Sequence, residues 1–84
     1  MRFAVLVETR PRPGIADPEG ATIERSLPAL GFDGIDDVTV GKAFRFVVDA
    51  PDEDAARTRV RDVCDRFLTN PVIEDAEISL SAAG

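Results

Sequence analysis

Residues 36–49 read DDVTVGKAFRFVVD, and this stretch decides the fold. Val38 and Val40 alternate with Thr39 before Gly41-Lys42. After it, Phe44, Phe46 and Val48 alternate with Arg45, Val47 and Asp49. A period of two marks half-buried strands, and glycine supplies the freedom of a tight turn. The stretch therefore predicts a hairpin turning at Gly41-Lys42. An isolated hairpin is marginal in water, so its apolar side needs a cover. Helical patterns flank it on both sides. Neither strand pairs a nucleophile with a base, so this centre reads as architectural.

Upstream, Arg2 to Thr9 predicts a strand with Phe3, Val5 and Val7 on one side and Ala4, Leu6 and Glu8 on the other. Both sides are largely apolar, which suits a central strand. RPRPGIA, residues 10–16, reads as a stiff surface connection, because proline and glycine stop the strand; the other reading is that its two arginines grip an anion. Asp17 is an N-cap, Pro18 fits the first helical position, and Glu19 suits the positive helix end. Ile23, Leu27 and Leu30 form the expected buried stripe. Pro28 is expected to kink the helix or to end its regular part early, Gly31 is the expected C-terminal stop, and Phe32 is expected to tuck back over its end. Asp33, Asp36 and Asp37 lack the spacing of a calcium loop and read as solvated turn residues.

Downstream, Asp52 caps a second helix with Glu53 and Asp54 in its first turn. Its expected core stripe is Ala56, Val60, Val63, Cys64 and Phe67. Glu53–Arg57 and Asp62–Arg66 are surface pairs at helical spacing, and the helix arginines read as a solvated face. Asn70-Pro71 breaks the helix. A last strand follows, with Ala76, Ile78 and Leu80 on one side. Ser81 to Gly84 reads as a frayed tail.

The order strand, helix, strand, strand, helix, strand predicts an α+β, ferredoxin-like split βαβ fold in one domain, residues 1–84. It implies a four-stranded antiparallel sheet with both helices on one face. The first strand and the second hairpin strand are expected to be central.

The chain has 84 residues, a net charge of −6, no histidine and one cysteine. A domain this short buries only about 60–65% of its unfolded surface, which favours association. The acidic balance disfavours nucleic-acid binding, which needs clustered Lys and Arg. Phe3, Phe44 and Phe46 share parity with the core valines, so they are expected to face the helices rather than stack on bases. The missing histidine removes the commonest general base and metal ligand. Cys64 lies in an apolar pattern and reads as a core residue. No segment is long enough for a signal-peptide core or a membrane span, which points to a cytoplasmic protein. A phosphatase reading fails on its water-positioning asparagine, since Asn70, the only one, lies beyond the second helix. Two classes remain: an assembly subunit, or a ferredoxin-like small-ligand regulatory module.

Four segments carry a family resemblance: Asp17-Pro18-Glu19-Gly20, Leu30-Gly31-Phe32, Val38-Thr39-Val40-Gly41-Lys42 and Asn70-Pro71-Val72-Ile73-Glu74-Asp75. In this order, and in a chain of this size, they resemble PurS, the small subunit of phosphoribosylformylglycinamidine synthase. Pro28, and Ala76 where the family often has an aromatic, depart from the pattern. The resemblance implies a non-catalytic subunit of an ATP-dependent, glutamine-using ligase in purine synthesis. It implies a dimer or tetramer that bridges the PurL synthetase and the PurQ glutaminase and supports ammonia transfer between them. ATP and Mg belong to PurL, and no cofactor or metal is expected in this chain. The polar turns Asp17-Pro18, Gly41-Lys42 and Asn70-Pro71 are the candidate partner contacts; the alternative reading is that they are only caps and turns.

Overall fold

The computed structural model describes residues 1–83. Three strands, β1 (Arg2–Pro11), β2 (Lys42–Asp49) and β3 (Glu74–Ala82), form an antiparallel sheet in the order β2-β1-β3. Helix α1 spans Pro18–Ser26, and α2 spans Glu53–Val63. Register is fixed by pairs such as Val5 with Phe46 on one side and with Leu80 on the other.

The alternation in β1 points Phe3, Val5 and Val7 towards α2. Val5 and Val7 pack with Val60 and Cys64, and Phe44, Phe46 and Ile78 close around them. Phe3 forms a second cluster with Ala50 and Ala56. Val7 and Val60 are fully buried, and each such side chain stabilises the fold by about 1.5–3 kcal/mol. Helix α2 starts where expected. The Ala55 amide donates to Asp52 Oδ1 at 2.8 Å, and Glu53 and Asp54 occupy the first turn. Both surface pairs form, Arg57 to Glu53 at 3.2 Å and Arg66 to Asp62 at 3.4 Å. Three arginines of α2 do more than face solvent. Arg57 and Arg61 reach the carbonyls of Ile78 and Ala76 on edge strand β3, and Arg59 donates to the Asp49 carbonyl at 2.8 Å.

Several expectations are corrected. The first hairpin strand is absent: residues 36–41 are irregular, and the described residues contain three strands, not four. Their amides are satisfied elsewhere. Val38 donates to Glu24 Oε1 at 2.9 Å and Val40 to Asp17 Oδ2 at 2.8 Å. Strand β2 is consequently an edge, not a centre; β1 is the centre.

The regular part of α1 ends at Ser26, and Pro28–Leu30 tightens into a 3-10 turn, because Pro28 offers no amide to Glu24. Gly31 stops it with φ of +90°. The α1 stripe is not buried, however. Ile23 is 40% and Leu30 70% exposed, and Phe32 does not tuck in. α1 packs chiefly on its own 3-10 turn, whereas α2 lies against β2 and β3. The chain measures 52 × 28 × 15 Å. Its radius of gyration is 16.4 Å, against about 12 Å for a compact chain of this length.

At the end of α2, residues Cys64–Leu68 form a wide π turn. This rotates the stripe, so Cys64 is buried and Leu68 joins the core while Val63 and Phe67 are turned outward. Phe67 is 84% exposed. The tail is ordered further than expected. Ser81 and Ala82 pair with Ala4 and Phe3, and the Ala83 amide donates to the Arg2 carbonyl at 2.9 Å. Gly84 lies outside the described residues.

Candidate functional site

The three polar turns meet at one end of the sheet, where β1 finishes at Thr9–Pro11. Asp17 organises the first. Its Oδ1 accepts the Gly20 amide at 3.0 Å and so caps α1. Its other oxygen holds the Val40 amide, which draws the 38–40 segment against the helix start. Gly20 is buried in that contact, and a Cβ there would meet the Val38 carbonyl oxygen. Pro18 stays exposed beside it.

Gly41 lies flat on β1. A Cβ there would run into the Thr9 carbonyl oxygen. Thr9 is buried, and its Oγ1 accepts the Lys42 amide at 3.2 Å. The Lys42 side chain remains exposed.

Asn70-Pro71 closes the third turn. Asn70 Oδ1 accepts the Val72 amide at 3.2 Å, and the Asn70 amide donates to Glu74 Oε1 at 2.8 Å. Arg12 ties this turn to β1. Its amide donates to the Ile73 carbonyl at 2.9 Å, and its Nε lies 3.3 Å from Asp75 Oδ1.

Arg10 stands among all three turns. It lines one shallow depression with Gly41 and Lys42, a second with Asp17 and Thr39, and a third with Pro71 and Asp75. Read from sequence as part of a stiff connection, Arg10 and Arg12 in fact occupy the centre of this end. Their signal was a pair of arginines alternating with prolines where the central strand ends.

The electrostatics suit recognition rather than bond-making. The amides of Gly20 and then Val40 hold the Asp17 carboxyl below its ordinary value of 3.8. Burial pushes the Cys64 thiol up, which removes it as a nucleophile. Among the described residues no three Cys, Asp or Glu side chains are placed to hold a metal. No helix is long and apolar enough to cross a membrane.

A depressed carboxyl stabilises the fold above its unfolded value, and that contribution is lost as pH falls through the lower folded value. Asn has one carbonyl oxygen for two amides. Asp17→Asn is therefore expected to lower the urea midpoint at pH 7 and to flatten its decline as pH falls from neutral through the ordinary carboxylate range and below it. Parallel declines in both proteins would show that Asp17 holds neither amide.

The family described as PurS, phosphoribosylformylglycinamidine (FGAM) synthase, matches residues 4–82. The PurS subunit of that synthase from Methanothermobacter thermautotrophicus is 38% identical over 81 residues, 96% of this chain and 95% of that one. The crystal structure of Methanocaldococcus jannaschii PurS superposes with a TM-score of 0.85 at 30% identity, covering 98% of this chain and 99% of that one. A chain in the structure of PurLQS from Thermotoga maritima superposes with a TM-score of 0.88 at 28% identity, covering 96% and 99%. Sequence and fold agree from end to end: the chain belongs to the PurS family, the PurS subunit of FGAM synthase in purine biosynthesis.

Proposed function

We propose that this chain is a non-catalytic assembly subunit, a cytoplasmic homodimer of one 84-residue domain that bridges the PurL synthetase and the PurQ glutaminase. The observation that carries this reading is the near-complete superposition on a chain of the Thermotoga maritima PurLQS structure. In this reading PurQ releases ammonia, and PurL, which binds ATP and Mg, consumes it. The small subunit holds the two in register so that ammonia passes without protonation in water. Such a task needs rigid surfaces rather than acids or bases. The convergent turns provide one, and we assign the larger-subunit contacts to Asp17, Pro18, Gly41, Lys42, Asn70 and Pro71.

The homodimer has its own support. Helix α2 leaves Phe44 and Phe46 on β2 half-exposed, and α1, which carries a matching apolar stripe, stands away from them. A second copy supplies both missing covers at once, each α1 lying over the other chain's sheet.

The test is glutamine-dependent synthesis by purified PurL and PurQ, with and without this chain. Ammonium chloride is expected to support turnover in both cases. Glutamine is expected to support it at least about tenfold better once the chain is added, a difference of about 1.4 kcal/mol in the effective barrier. Equal glutamine-dependent rates with and without the chain would overturn the assembly role.

A further inference from the structure

With the order β2-β1-β3, each outer strand carries a row of backbone groups that no neighbouring strand pairs. The register says which groups these are on β3. The Ala83 amide bonds the Arg2 carbonyl, and the Arg12 amide bonds the Ile73 carbonyl. Every second residue between them therefore turns its amide and carbonyl to β1. Glu74, Ala76 and Ile78 turn theirs the other way, to the free edge. All three of these outward carbonyls are met by arginine. Arg12 Nε lies 3.4 Å from the Glu74 oxygen, while Arg61 and Arg57 lie 3.5 Å from those of Ala76 and Ile78.

The fit comes from two matched periods. Arg57 and Arg61 are four residues apart, about 6 Å along a helix, and two strand residues span about 6.8 Å. Helix α2 runs against β3, so the two rows keep step. The other edge is different. By the same rule Ala43, Arg45 and Val47 of β2 face outward, and among the described residues no side chain caps their carbonyls. Only the Asp49 carbonyl, at the strand's end, is taken, by Arg59.

We propose that Arg12, Arg57 and Arg61 seal the β3 edge against an added strand. A new strand would lie about 4.8 Å away, with its amides on these same oxygens. The three guanidiniums stand in that lane. Contacts of 3.4–3.5 Å are long, so the seal lies in occupied space and charge rather than in bond strength. The open β2 edge makes the seal necessary. A free β2 on one copy and a free β3 on the next would join head to tail, a contact that does not close and so builds a fibre. Sealing one of the two edges is enough to stop that growth. This role is independent of the assembly function and of the dimer proposed above.

The test is sedimentation of the full chain over a concentration series, with circular dichroism of the same samples. Arg57 and Arg61 are exposed, so the joint variant R57A/R61A is expected to keep the unmodified dichroism spectrum when fresh. Its mass is expected to shift from a discrete value to an open series that lengthens with concentration. Adding Ala76→Pro removes an outward amide without breaking a bond to β1, and blocks a new strand by other means. The triple variant R57A/R61A/A76P is therefore expected to return to the discrete mass. A joint variant that keeps the discrete mass, one that loses its helical signal, or an open series that survives Ala76→Pro would each overturn the proposal.

Discussion

Gly41→Ala is expected to lower the unfolding free energy by about 3 kcal/mol. The new Cβ would run into the Thr9 carbonyl oxygen and lie 2.9 Å from its carbonyl carbon. Both neighbours are backbone, so no side-chain rotation relieves the overlap. Strand β1 cannot retreat, because Val5 and Val7 are fixed in the core. The 38–41 segment must lift instead. That strips the Val40 amide from Asp17 and the Val38 amide from Glu24, and frees the start of α1. The φ of Gly41 is not in the left-handed region, so the substitution acts through contact and not through backbone strain. Urea unfolding followed by circular dichroism measures the effect, at one fixed protein concentration because association shifts the midpoint. An unchanged midpoint would show that the segment moves aside at little cost.

The joint substitution Ile23→Glu and Leu30→Glu is expected to dissociate the dimer proposed above. In the single chain both side chains are exposed, at 40% and 70%. Surface changes of that kind alter stability by only about 0.5 kcal/mol. With α1 covered by a second copy, each lost side chain costs about 1.5–3 kcal/mol, twice over in a symmetric pair. The dissociation constant then rises by at least about 10⁴-fold. Sedimentation is expected to report single 9.1 kDa chains, and glutamine-dependent turnover with PurL and PurQ is expected to collapse. A dimer of unchanged mass would remove α1 from the interface.

How far the sequence could be read depended on whether a residue's partner was local. Asp17 and Asp52 cap helices through amides three residues away, and both caps were legible. The parity of Phe3, Val5 and Val7 fixed the inner face of β1, because alternation is a property of one strand. The 36–41 segment misled for a physical reason. Val38 and Val40 do place their amides alike, but towards Asp17 and Glu24 on α1 rather than towards β2. Alternation records which residues act together and does not name what they meet. The α1 stripe failed in the same way: its spacing is helical, yet among the described residues its own chain leaves Ile23 and Leu30 exposed and covers Leu27 only in part. Phe67 was misplaced because helical counting assumes a constant turn, and the π turn breaks that count. The paired tail rests on backbone hydrogen bonds from Ser81 to Ala83, which leave no mark in small side chains. Arg10 was visible as a residue but not as a meeting point, since three distant turns converge on it only after folding.

The wide turn at Cys64–Leu68 carries one surplus residue in its circuit. Removing one amino acid there would let an ordinary α-helix run on without disturbing Val60 or Cys64 upstream. Leu68 would become the seventh residue after Val60, the place where an ordinary helix carries its buried stripe, and Phe67 would stay on the outside of the tip. The surplus residue is thus what lets the eighth position after Val60 take the seat that an uninterrupted helix gives to the seventh, while the packed interior stays as it is.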